Sequence, residues 1–101
     1  MVKVKFISLK KADDGIHKYV VSLLNEDTKR VNNIKFGAYR MNDYTLTGDV
    51  SAKQRYEARH ISREDWTKNG VLTKGFWSKW ILWTKPTIND ALSNVIKLFN
   101  L

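Results

Sequence analysis

A chain of 101 residues, 43% hydrophobic and 28% charged, is long enough for one globular domain with a single core, but leaves little for a second lobe or a deep catalytic cleft. With no cysteine, disulfides, thiolate chemistry and thiol-rich zinc sites are excluded. A formal charge of +8 and a pI near 9.8 favour a polyanionic partner, most simply nucleic acid, with an anionic membrane surface or an acidic protein as competitors.

Val2, Val4 and Phe6 alternate with Lys3 and Lys5, the period-2 pattern of a half-buried strand. Ile7 and Leu9 break the phase, so a bulge or strand end is expected near Ser8. Lys10 to Gly15 reads as a turn in which Asp14-Gly15 suits a positive φ. Ile16 to Leu24 is a second strand with His17, Tyr19, Val21 and Leu23 on one face. His17 invites a functional reading because histidine is a common acid–base residue, but packing in the sheet accounts for it there. After a turn at Asn25–Thr28, Arg30 to Phe36 makes a third strand whose Ile34 and Phe36 point together. Residues 1–36 are therefore expected to form a three-stranded antiparallel meander.

Residues 37–48 show no period and carry Tyr39, Arg40, Asn42, Asp43, Tyr44 and Thr45. A connection this long in a small domain either serves function or packs down on its own tyrosines. A first helix opens at Asp49 or Ser51, where Ser51 and Gln54 have capping-box spacing. Ala52 and Tyr56 face inward, and Arg55, Arg59 and Arg63 stack at i, i+4 and i+8 if the helix runs on. Ser62 followed by Asp65 argues instead for a restart through Trp66 to Asn69 with Gly70 at its end, which would remove Arg63 from the row.

Thr73 can cap a helix over Gly75–Thr84, ended by Lys85-Pro86. It holds three of the four tryptophans, with Phe76, Trp80 and Trp83 on one side and Trp77 and Ile81 beside them. Such a segment is either the centre of the core or a surface offered to a partner. Thr87 caps the last helix, whose stripe of Ile88, Ala91, Leu92, Val95, Ile96 and Phe99 is a packing face. The fold class is α+β, with the meander packed against three to four C-terminal helices in one domain.

The inventory for catalysis is thin. There are two histidines, no glycine-rich phosphate cradle, no H-E-x-x-H and no nucleophile elbow. Asp43, Glu57, His60, Glu64 and Asp65 are the one group that could converge on a metal for nuclease chemistry, the third reading after two non-catalytic ones. No cofactor is implied. Nucleic-acid binding has more behind it. Lys53, Arg55, Arg59, His60, Arg63 and Lys79 could neutralise phosphates, with Tyr44 and Trp66 as stacking residues. No base-reading motif is visible, so sequence-independent backbone contact is the expected form. The alternative is a protein-interaction or structural module using the aromatic helix or the long loop. A membrane-interface role ranks below both, because between Phe76 and Trp83 only Ser78 and Lys79 are polar. The first residues lack the apolar run of a signal peptide, and no stretch nears the ~20 apolar residues that cross a bilayer, so an intracellular chain is expected.

Several blocks occur in a recognisable order. They are Phe36-Gly37, Asp43-Tyr44-Thr45, Arg55-Tyr56 with Arg59-His60, Trp66, then Thr73-x-Gly75-Phe76-Trp77-Ser78-Lys79-Trp80, Leu82-Trp83 and Lys85-Pro86. This order resembles a family of small uncharacterised proteins of large eukaryotic DNA viruses, with looser tailed-phage relatives. Lys74 departs from the small residue the pattern expects. The resemblance implies a viral origin, with residence in an infected host cell and in the virion. It implies the roles small basic viral proteins share: packaging nucleic acid, serving as a minor capsid component, or engaging host factors. It assigns no activity to any residue.

Overall fold

The computed structural model describes residues 3–101; Val2, the first of the expected strand positions, lies outside them. Strands β1 (Val4–Lys11), β2 (His17–Asn25) and β3 (Arg30–Ala38) form one antiparallel sheet in the order β1-β2-β3. The register slips between Phe6 and Ser8, so Ile7 is the extra residue of the bulge that the broken alternation predicts. The first hairpin turn is shorter than expected because β1 runs on to Lys11. Asp14 holds the turn by accepting from the backbone N–H groups of Ile16 and His17, each at 2.9 Å, and from His17 Nδ1 at 2.8 Å. His17 is thus a satisfied strand histidine.

The expected alternation of β2 and β3 is realised. Val21, Leu23, Ile34 and Phe36 are buried on the inner face, and the helices pack against it. Residues 37–48 are not all loop, since Asp43 caps a single helical turn, α1 (Tyr44–Thr47). Helix α2 (Val50–His60) is capped by Asp49, whose carboxylate accepts from the N–H of Ala52 at 3.1 Å. Ser51 is inside the helix and is no cap; its hydroxyl accepts from the Arg55 guanidinium at 3.0 Å.

The restart at Ser62 does not form. Residues 61–63 turn, and the chain next winds only as a 3-10 turn over Lys68–Gly70. The tryptophan segment also differs from one regular helix. It begins as α3 (Lys74–Trp77), capped by Thr73, and widens into a π turn over Ser78–Leu82. Phe76, Trp77, Ile81 and Leu82 are buried, so the segment is the centre of the core. The indole of Trp77 donates to the carbonyl of Val71 at 2.7 Å, which removes the cost of burying its one polar atom. Helix α4 (Ile88–Phe99) is capped by Thr87 and lays Ala91 and Val95 against this core as its stripe predicts. The final residue folds back on the sheet, where the N–H of Phe6 donates to the carbonyl of Leu101 at 3.4 Å.

Candidate nucleic-acid interface

Tyr56 organises the site. It is buried on the inner side of α2, with its ring parallel to Trp83 at 4.5 Å and stacked on His60 at 4.3 Å. Burial pushes the Tyr56 hydroxyl up to about 12, with the Glu64 carboxylate adding to the shift and Arg59 opposing it. One helical turn on, Arg59 is exposed and continues from Arg55 along the same side of α2.

Between α2, the end of β3 and the start of α3 lies a cleft of about 410 Å³. Tyr56, Trp83 and Leu82 supply its apolar wall, while Arg59, His60 and Lys74 bring positive or titratable groups to it. It forms although the chain is short, because three separate segments contribute its walls. At its edge Lys18 pairs with Asp43; both side chains are largely withdrawn from water. Asp43 also accepts from the N–H groups of Thr45 and Leu46 at 2.9 and 3.3 Å, so its carboxylate is fully engaged. Glu64 approaches the start of α3 so closely that a Cβ on Gly75 would lie 1.5 Å from its Oε2, and its other oxygen is 3.6 Å from His60 Nδ1.

The residues expected to bind phosphate do not form one row. Arg55 and Arg59 are exposed and share a side of α2. Arg63 falls in the turn beyond the helix and donates to the carbonyl of Arg59 at 3.2 Å, which takes it out of register with the other two. Lys53 lies over the ring of Tyr44 at 5.4 Å, so these two pair with each other at the start of the helical region. His60 is half-buried on Tyr56 and belongs to the cleft.

Lys79 is not a phosphate ligand on an open surface. Nearly every side of the wide turn that carries it is packed, and its side chain is buried with the rest. Its ammonium lies 4.4 Å from the Trp80 ring centre and 5.3 Å from that of Trp66, with Glu57 Oε2 at 3.4 Å. Burial lowers its pKa, and Glu57 opposes the shift. Trp66 is drawn into the same cluster: it stacks with Tyr56 at 6.4 Å and accepts through its carbonyl from Trp80 Nε1 at 3.0 Å. Its own indole N–H is buried with no partner among the described residues. Trp66 is therefore a packing residue more than a free stacking platform.

The five residues weighed for metal chemistry are dispersed among separate partners. Asp43 faces Lys18, Glu57 faces Lys79 and His60 faces Glu64, while Asp65 accepts from Thr67. No group of three or more His, Cys, Asp or Glu side chains converges among the described residues. No helix among the described residues is long and apolar enough to cross a membrane.

Fold and site together define a small α+β domain with an aromatic-walled, cation-rimmed cleft. The chain belongs to DUF5754, a family of unknown function whose model matches residues 7–60. That span takes in most of the sheet, α1 and α2, and stops at His60. Comparison with the curated proteins and with the solved structures finds no match.

Proposed function

We propose that this protein binds nucleic acid without catalysis, through sugar–phosphate contacts made by Arg55 and Arg59 on α2. The observation that carries the reading is the state of these cations. Arg55, Arg59 and Lys74 have no carboxylate partner among the described residues, and Arg59 and Lys74 border the same cleft. Unpaired guanidinium groups on one side of a helix are suited to phosphate oxygens, which they meet in bidentate geometry. Lys53 and Arg63 flank them and add to the field without sharing their register. The resemblance to proteins of large DNA viruses suggests the setting, an infected cell in which viral nucleic acid is abundant.

The test is fluorescence-anisotropy titration of short single- and double-stranded DNA and RNA across a salt series. Binding that weakens steeply with salt, and weakens again in Arg55→Ala and Arg59→Ala, is the expected result. Absent or salt-insensitive binding would overturn the proposal.

A second reading, a protein-interaction or virion component, is favoured by one observation. Tyr39, Met41 and Leu46 are 56%, 65% and 67% exposed within one short segment. A partner retained after nuclease treatment, and lost on Leu46→Asp, would support that reading.

A further inference from the structure

The sheet has a second face, which the helices leave open except at its Lys18 end, where Asp43 covers that side chain. Its composition follows from the strand register. Lys5 lies opposite Leu24, which lies opposite Val31. In the next row Ser8, Ser22 and Asn33 stand side by side, and in the third Lys10, Val20 and Lys35. None of these nine positions is acidic or aromatic. Lys5, Lys10, Asn33 and Lys35 are exposed. Among the described residues, the one carboxylate within 4 Å of any of these lysines is Asp14, 3.7 Å from Lys35, whose side chain remains half exposed.

This arrangement discriminates between partners. Single strands are held by stacking bases on aromatic side chains, and this face has none. The A-form major groove is too deep and narrow for side chains to read, whereas the B-form groove is about 12 Å wide and admits a two-stranded β-ribbon. Three strands about 4.8 Å apart span roughly 10 Å between the outer two. Lys5 and Lys10 stand on one edge of that span and Lys35 on the other, where the two phosphate ribbons of a groove would run. In the middle row the Ser22 hydroxyl donates to Asn33 Oδ1 at 2.6 Å. The amide nitrogen of Asn33 makes no hydrogen bond among the described residues, so its two donors are free for acceptors on base edges.

We infer that the outer face of the sheet docks in the major groove of double-stranded DNA, with Lys5, Lys10 and Lys35 on phosphates and Asn33 at base edges. The inference rests on the nucleic-acid reading above, adds a second contact surface to the α2 arginines and fixes the form of the ligand.

The experiment compares wild type, Lys5→Gln/Lys10→Gln/Lys35→Gln and Arg55→Ala/Arg59→Ala on one DNA sequence, as duplex and as single strand, at graded salt. Circular dichroism confirms that each variant is folded. The sheet variant is expected to lose about 10²-fold in duplex affinity at 0.15 M salt, with the salt slope falling by roughly 2.7 for three lost phosphate contacts. Asn33→Ala is expected to flatten discrimination among duplex sequences while leaving that slope unchanged. Duplex affinity within about threefold of wild type in the sheet variant, or tighter binding of the single strand, would overturn the inference. Loss confined to the arginine variant would overturn it and leave the proposed function standing. Failure of wild type to bind any nucleic acid would remove both.

Discussion

The rings of Tyr56 and Trp83 lie 6° from parallel with centroids 4.5 Å apart, and this contact fastens α2 to the chain just beyond the π turn. Both rings also wall the cleft. Tyr56→Ala would remove a buried ring and leave Trp83 facing a void. The expected loss is about 3 kcal/mol of unfolding free energy, read from urea denaturation. Tyr56→Phe keeps the stack and should stay within about 1 kcal/mol of wild type.

The raised pKa of Tyr56 has its own consequence at high pH. The folded state holds the phenolic proton more tightly than the unfolded state, which releases it near 10. Stability from this group is therefore complete below pH 10 and is lost as pH rises through about 12. Denaturation curves for wild type and Tyr56→Phe should coincide in their pH trend below 10 and diverge above it. Parallel curves across that range would contradict the burial of the hydroxyl.

Lys79 offers the opposite sign. Burial lowers its pKa below the ordinary 10.5, so the unfolded chain binds its proton more tightly than the folded one. The charged form burdens the folded state at neutral pH, and that burden lifts as pH rises towards 10.5. Lys79→Met fills the same space without a charge and is expected to be as stable as wild type or more so at pH 7. Glu57→Ala leaves the ammonium unpaired among the tryptophans and should cost about 1–2 kcal/mol, a figure reduced because Glu57 is partly hydrated. A large loss in Lys79→Met would mean that the aromatic contacts outweigh desolvation.

Gly37 sits at φ +77°, and a Cβ there would lie 2.8 Å from Leu82 Cδ1 and 3.2 Å from Lys18 Cβ. Gly37→Ala is expected to cost roughly 1–3 kcal/mol through backbone strain and displacement of Leu82. The same shift would disturb the Lys18–Asp43 pair at the cleft edge, which the NMR chemical shifts of the Lys18 side chain would report.

At the cleft, Lys74→Ala should weaken nucleic-acid binding if Arg59 and Lys74 act on one phosphate run. The paired measurement is the Arg59→Ala/Lys74→Ala double variant. Two independent losses that add would place them on separate contacts, and a shortfall from additivity would place them on one.

Much of the fold was legible because its signals are local. Alternation in Tyr19–Val21–Leu23 and Ile34–Phe36 marks the inner face of a sheet, and the break at Ile7 marks its bulge. Thr73 and Thr87 announce their helices through hydroxyls that accept from the N–H three residues on. Ser51 and Ser62 carry the same kind of signal and cap nothing. Asp49 occupied the first cap, and the chain after Arg63 extends before it can form another helix.

The site was less legible, and the reason is sequence distance. Lys18 and Asp43 are 25 positions apart, and Glu57 and Lys79 are 22 apart. No spacing rule joins such pairs. Lys79 read as a surface cation because lysine is rarely buried; only the packing of the π turn on nearly every side put it between two indoles. Lys74 was visible as a basic residue, but its place on the same cleft as Arg59 was not.

The sequence by itself determined the α+β class, the inner face of the meander, the caps of the last two helical segments and the excess of positive charge. Periodicity, capping and composition act over a few residues and need no partner. The tertiary structure decided which cations remain free, which carboxylates are consumed and where a cleft opens. Those outcomes depend on groups distant in the chain competing for the same few ångströms of space, and burial settles that competition only once the core has closed.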